Sequence, residues 1–445
     1  MDELRAAAVA RDLSRCKALL CRQLAPALVS AVTSLSAEHK GVINVTNTLA
    51  CIKYFLQCGA RVDARRDGRG KTALMVAAQA GRLDAVKVML QHWKNAGADA
   101  AGSGSGSGAS DCGDDCDDGE NGGPGAINAV GGDRRGTALI WAALNGHAEV
   151  VAALVNLTGK GGHAVDLNVA NTFGVTALIF ATSKNHVEIV STLLNAPGKD
   201  GFAVDLNVKS ENGNTALILA ARFGYVQITT ALLAATDEDG VPVVDLNLVN
   251  KEGCTALMLA AHNNHVEIVT QLLGATGNDG VTRRLLHTAD LNVAENVQRN
   301  TALIYASGYG HTKIVTALLG AAGENGVAID LNMTNMYGFT ALICAAQKGH
   351  ADVVTALLDA TERNEHITTA VDVALKDKQG HSAHFYATTM HASKFAPELL
   401  ARLLPPPPPC PKDRAAAFLQ SLGVSDVYLN PEFDRCYCRR CYEGQ

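Results

Sequence analysis

The sequence predicts an all-α solenoid of stacked helix pairs. Three observations predict it. The phrase Thr-Ala-Leu begins at Thr72, Thr137, Thr176, Thr215, Thr255, Thr301 and Thr340, with a worn copy, Ser-Ala-His, at Ser382. Between Thr137 and Thr340 the copies stand 39, 39, 40, 46 and 39 residues apart, and self-similarity at such a period marks a chain whose units touch only their neighbours. Each copy leads into an Ala-rich stretch, a Gly or Asn, and then a Val/Ile-rich segment that closes on leucines. A chain of 445 residues would otherwise suggest about three domains.

The unit around Thr176 shows how one repeat is built. Gly174 permits a positive φ in the turn, and the Thr176 hydroxyl is placed to cap a helix that starts at Ala177. Leu178, Phe180 and Ala181 give that helix an apolar side. Asn185 ends it, where the sibling units carry Gly81, Gly146, Gly224, Asn264, Gly310 and Gly349. Gly and Asn are the residues that most readily take the left-handed conformation after a helix. A second helix follows, with Ile189, Val190, Leu193 and Leu194 on one face.

These units resemble ankyrin repeats: the turn, the Thr-capped helix and the Gly-His-x-Glu-Ile-Val second helix are matched by Thr176 to Val190 and most fully by Gly253 to Val269. The resemblance covers roughly residues 45–404. It departs from the family in two ways. Ala138, Ala177, Ala216, Ala256, Ala302 and Ala341 stand where Pro is usual, and Ala preserves the helix. The units also exceed the usual length of about 33 residues through inserts such as Pro197 to Gly201 and Thr236 to Gly240. Each insert is followed by Asp-Leu-Asn, at Asp166, Asp205, Asp245, Asp290 and Asp330, and a ridge of lengthened loops is expected along one edge.

The expected organisation is as follows. Residues 1–44 form N-terminal capping helices, and 45–97 the first ankyrin-like units, with a second helix from Ile52 to Cys58. Residues 98–132 are a disordered insert, since Ala101 to Gly108 is a Gly/Ser run and Asp111 to Glu120 an acidic stretch. Cys116 and Gly125 fall where calcium ligands should be, which excludes an EF-hand. Residues 133–404 are the main array, closed by a terminal cap around Ser382 with Pro397 in its second helix. Pro405 to Pro409 opens a polyproline spacer, 405–411, rather than an SH3 or WW ligand. Residues 412–445 hold a short helix, Arg414 to Leu422, and a Cys-rich tail.

In that tail, Cys436, Cys438 and Cys441, with Cys410 as a fourth thiol, have the chemistry of a structural zinc site. The string from Tyr428 to Cys438 resembles the opening of the Cys-rich tail of neuralized-like ubiquitin-ligase adaptors. That resemblance implies an alternative role, an adaptor that recruits ubiquitin machinery. A further alternative, a zinc-dependent nucleic-acid-binding protein, rests on Arg435, Arg439 and Arg440. The array itself calls for no cofactor. His147, His186, His265, His311 and His350 recur at one position, but units about 10 Å apart are too widely spaced for shared zinc ligands near 2 Å, and a structural hydrogen-bonding role is expected.

The formal net charge is -6, which gives no global reason to expect nucleic acid or an anionic membrane as partner. No membrane span or secretory signal is visible, so a cytoplasmic location is expected, with the nucleus as alternative. Cysteines within the helical patterns, such as Cys254 and Cys344, are expected to be reduced. Nucleotide-binding, serine-hydrolase, metalloprotease and kinase signatures are all absent, and no enzymatic activity is expected. The resemblance implies protein binding on the concave face made by the turn tips and first helices. The candidate contact residues there are Phe173, Phe223, Tyr309, Met336, Tyr337 and Phe339, because exposed aromatics often dominate interface energy. Val175, Arg222, Lys251, His262 and Lys348 lie on the same face.

Overall fold

In this computed structural model the described residues are 45–57, 70–102, 126–156, 165–196, 204–237, 243–274, 289–321, 329–363 and 370–405. The inserts read from sequence as a loop ridge lie largely outside them, as do residues 1–44 and 406–445. Among the described residues there is no strand; isolated bridges include those of Gly131 with Gly136 and Lys376 with Ser382.

Among the described residues there are seventeen α-helices, sixteen of them in two layers. The first helices of successive units are α2 (Ala73–Gln79), α4 (Ala138–Leu144), α6 (Ala177–Ser183), α8 (Ala216–Phe223), α10 (Ala256–His262), α12 (Ala302–Gly308), α14 (Ala341–Lys348) and α16 (Ala383–Met390), each packed on the next. The second layer stacks α1 (Val45–Gln57), α3 (Leu83–Gly102), α5 (Ala148–Val155), α7 (Val187–Leu194), α9 (Val226–Leu233), α11 (Val266–Gly274), α13 (Thr312–Ala321) and α15 (Ala351–Arg363) in the same order. The short α17 (Pro397–Arg402) closes the array, with Pro397 at its first turn and Arg402 paired with Asp359 of α15 at 2.9 Å.

Each first helix starts where its hydroxyl dictates. Thr137, Thr176, Thr215, Thr255, Thr301 and Thr340 accept hydrogen bonds from the backbone N–H three residues on, at 3.2 to 3.3 Å. Such a cap contributes about 1 kcal/mol. The core runs between the layers: Leu178, Ala181, Ile189, Val190 and Leu193 are buried, as are their counterparts Leu217, Ala220, Ile228 and Leu232. The Leu of each Asp-Leu-Asn is buried too.

Two differences from the sequence reading have local causes. Helix α1 begins at Val45, earlier than Ile52, because Leu49, Ile52 and Leu56 share one helical face against the core. The insert expected over 98–132 narrows at both ends: α3 runs to Gly102, and a short 3-10 turn at Ala126–Asn128 places Ile127 in the core. Ala126-Ile127-Asn128 occupies the place of Asp-Leu-Asn in the other units.

Three sets of hydrogen bonds join unit to unit. The first is an asparagine ladder. The side-chain carbonyl of Asn128 accepts from the N–H of Asp166, Asn168 from Asp205, Asn207 from Asp245, Asn247 from Asp290, Asn292 from Asp330 and Asn332 from Asp372, all at 2.8 to 2.9 Å. Each of these aspartates in turn accepts from the N–H two residues on, which orients the next amide. Asn207 and Asn332 also donate, to the carbonyls of Val243 and Ala370, both at 2.8 Å.

The second set zips the turn tips. The N–H of Thr172 donates to the carbonyl of Arg134, Glu211 to Phe173, Lys251 to Asn212, Asn296 to Glu252, Met336 to Gln298 and Lys378 to Tyr337. In five of the tips a buried side chain holds the turn. Asn171, Asn250, Asn335 and Asp377 accept from two N–H groups apiece. Glu295 does so in the unit whose turn is one residue longer, reaching the N–H groups of Val297 and Gln298 at 2.6 Å.

The third set is the histidine row. The Nε2 atoms of His147, His265, His311, His350 and His391 lie 3.0 to 3.3 Å from the carbonyls of Gln79, Arg222, His262, Gly308 and Gln347 in the preceding unit. A carbonyl only accepts, so Nε2 carries the proton. This is why the residue ending each first helix is so constrained. Gly224 has φ 78°, and a Cβ there would meet the His265 ring at 2.6 Å. Asn185 and Asn264 take the same left-handed conformation, at φ 58° and 62°.

Burial holds the His350 pKa below its ordinary value, against the raising effect of the Gly308 carbonyl, and Lys394, His311 and His391 push the same way as burial. In the terminal unit, burial works to raise Asp377, but donation from the Tyr386 hydroxyl at 2.6 Å and from backbone N–H groups leaves it lowered. Burial and that carboxylate push Tyr386 up to about 12.

Three outcomes are expected. Asn207→Ala lowers stability to chemical denaturation by about 1–3 kcal/mol, since it strands the Asp245 N–H and the Val243 carbonyl, while Asn207→Asp, which keeps the acceptor, loses less. Gly224→Ala costs at least about 1–2 kcal/mol from its left-handed backbone alone. A depressed histidine pKa means the unfolded chain binds more protons. The His350 contribution is therefore present above its ordinary pKa of 6.5 and is lost as pH falls from there through the folded value. Thermal unfolding followed from about pH 7.5 to about pH 5 should show this fall, and His350→Gln should flatten it.

Candidate protein-binding surface

The turn tips and the exposed side of the first helices form one face, and the tip zipper and histidine row fix its side chains. Its floor is a half-buried apolar line of one residue per first helix: Phe180, Leu219, Leu259 and Tyr305. Burial pushes Tyr305 up to about 12, so the phenol is neutral at physiological pH. Desolvation also raises Cys254 to about 11 and Cys344 to about 12. Both are buried free thiols that stay protonated and serve as packing groups rather than nucleophiles.

Five of the six candidate contact residues stand out from this floor. Phe173, Met336 and Tyr337 project from turn tips, with Tyr337 49% exposed. Phe223 and Tyr309, 49% and 56% exposed, sit at the far ends of α8 and α12. Phe339 is different. It is half-buried and packs edge-on against Tyr386 of the next unit at 6.0 Å, so its ring belongs to the joint between units.

The ring contacts sort these aromatics into two groups. Tyr337, Phe339 and Tyr386 form one, beside the tips, with Tyr337 6.1 Å from Phe339. Tyr309 meets His262 edge-on at 4.9 Å and stacks beside His311 at 5.8 Å. Phe223 stacks on Tyr225 at 5.7 Å, with the Arg222 guanidinium 5.9 Å from its ring. The second group thus follows the C-terminal ends of the first helices.

Several exposed residues escaped the sequence reading, among them Met390 at the end of α16 and Val297. Val297 is 67% exposed at the tip of the unit held by Glu295; Glu295 and Arg299 stand there for the usual Asn and Gly, which hid its alignment with Tyr337. The floor was missed because Phe180 reads equally well as core. Among the described residues no cluster of three or more His, Cys, Asp or Glu is arranged to hold a metal. Cys410, Cys436, Cys438 and Cys441, and the arginines beside them, lie outside the described residues. No described helix is long and apolar enough to cross a membrane.

The comparison with known families agrees with this fold. The sequence pattern described as ankyrin repeats (3 copies) matches residues 4–102, 120–205, 201–279 and 275–369. No curated protein sequence matches the chain. Among solved structures, the chain is similar to the ankyrin repeat domain of Bcl-3, described as a unique member of the IkappaB protein family. The identity is 23%, over 60% of this chain and 96% of that chain, with a TM-score of 0.44. With Thr-capped helix pairs stacked in two layers, and the family pattern matched along most of its length, this chain belongs to the ankyrin-repeat family.

Proposed function

We propose that this chain is a non-enzymatic interaction scaffold that holds a protein partner along the face made by its turn tips and first helices. The fold is a protein-interaction fold. The observation that supports this use of it is the set of large apolar side chains, Phe173, Phe223, Val297, Tyr309, Met336 and Tyr337, held exposed on one continuous hydrogen-bonded frame. Such groups cost solvation in the free protein, and a partner that covers them recovers it. Because the frame is already rigid, little further ordering is required on binding, and affinity depends on the anchors themselves.

Affinity capture from native lysate followed by mass spectrometry tests this reading. The full chain is compared with Phe173→Ser, Tyr309→Ala and Tyr337→Ala. These variants should unfold at nearly the wild-type temperature yet lose a shared partner, since an anchor worth about 2 kcal/mol weakens binding about thirtyfold when truncated. Phe339→Ala is the contrasting case and should lower the unfolding temperature, because its ring packs between units. Partners captured equally by all the exposed-residue variants would overturn the assignment of this face.

A further inference from the structure

We infer that the partner presents an acidic peptide segment with apolar anchors, lying along the C-terminal ends of the first helices. This rests on the binding face proposed above and assigns its chemistry. The row comprises Lys184, Arg222, Phe223, His262, Tyr309 and Lys348, drawn from the ends of five successive first helices. None of the eight units places Asp or Glu at either of the two positions that close its first helix. The chain as a whole carries 44 acidic and 38 basic side chains, so this row is sorted against the overall balance. Of the acidic groups, one aspartate per unit from Asp166 to Asp372 lies along the asparagine ladder, and Glu149, Glu188, Glu267 and Asp352 open second helices, where the helix dipole favours them.

Lys184, Arg222 and Lys348 are exposed. None of the three belongs to the ion pairs that Arg402 makes with Asp359 and His381 with Asp377. Cations at helix C-termini gain about 0.3–1 kcal/mol from the helix dipole. That accounts for their sign but not for Phe223 and Tyr309, which stand exposed in the same row.

The row is also held in register. His265 and the Asn263 amide both reach the Arg222 carbonyl at 3.2 Å, and His311 reaches the His262 carbonyl at 3.3 Å. With units about 10 Å apart, an extended peptide rising about 3.3 Å per residue meets one unit every three residues or so. A segment of roughly twelve residues therefore spans the five helix ends. The spacing favours peptide over nucleic acid. Three cations over five units are sparse for a phosphate backbone, and one face of each exposed ring is already covered, Phe223 by Tyr225 and Tyr309 by His311, which leaves less room for base stacking.

The test selects random displayed peptides of about twelve residues on the immobilised full chain, then measures synthetic versions of the winners in solution. Selected peptides should be rich in Asp and Glu interleaved with Phe, Leu or Tyr. Their binding should weaken about tenfold or more in the combined variant Lys184→Glu, Arg222→Glu, Lys348→Glu, and on raising salt from about 50 to about 500 mM. Lys184→Gln with Lys348→Gln should weaken it less, at an unchanged unfolding temperature.

Neutral or basic winners that resist charge reversal but are lost in Phe223→Ala with Tyr309→Ala would overturn the acidic chemistry and leave the binding face standing. Winners insensitive to both sets of changes, or no winners at all, would overturn both. Tighter binding of a single-stranded polyuridine oligonucleotide, lost on charge reversal, would replace the peptide with nucleic acid.

Discussion

Each unit depends on a side-chain amide that finds the backbone of its neighbour. A lone helix pair has one apolar side and nothing to cover it, so stacking supplies the core, yet apolar contact is non-directional and sets no register. The asparagines from Asn128 to Asn332 supply the direction. Each ties the entry of the next unit at one height, and the aspartate that receives the bond orients the following asparagine. Tip zipper and histidine row repeat that constraint at two other points of the unit. Together they hold each pair against both translation and rotation on the one before it.

The helices were legible in the sequence because their signals are local. A Thr followed by Ala-Leu caps a helix through its own hydroxyl, and a Gly or Asn ends it by taking a conformation other residues resist. The ladders were less legible because a hydrogen bond across 38 residues, as from Asp166 to Asn128, leaves no spacing signal within either unit. Asn128 was hidden further by its neighbours: Ala126 stands where Asp recurs, and the acidic insert just before it draws the reading toward disorder. Glu295 escaped for a similar reason, since a longer carboxylate in a longer turn does the work of Asn in the others.

For the binding face, sequence identified which residues are not needed for the core but not how they group. Phe339 and Tyr337 are two residues apart, yet one ring is wedged against Tyr386 and the other faces solvent. That division depends on the next unit, which local periodicity does not describe. Tyr309 likewise joins His262 of the unit before it instead of the tip aromatics. The face is therefore better understood as two strips, one along the tips and one along the helix ends, separated by the apolar floor.

The asparagine ladder has an asymmetry with its own consequence. Its last rung among the described residues is Asp372, which accepts from the N–H of Ala374, where the five preceding rungs have Asn. Ala has no side-chain amide, so at this position the ladder offers no further carbonyl acceptor. A single Ala in place of Asn thereby stops a ladder that every rung before it passes on.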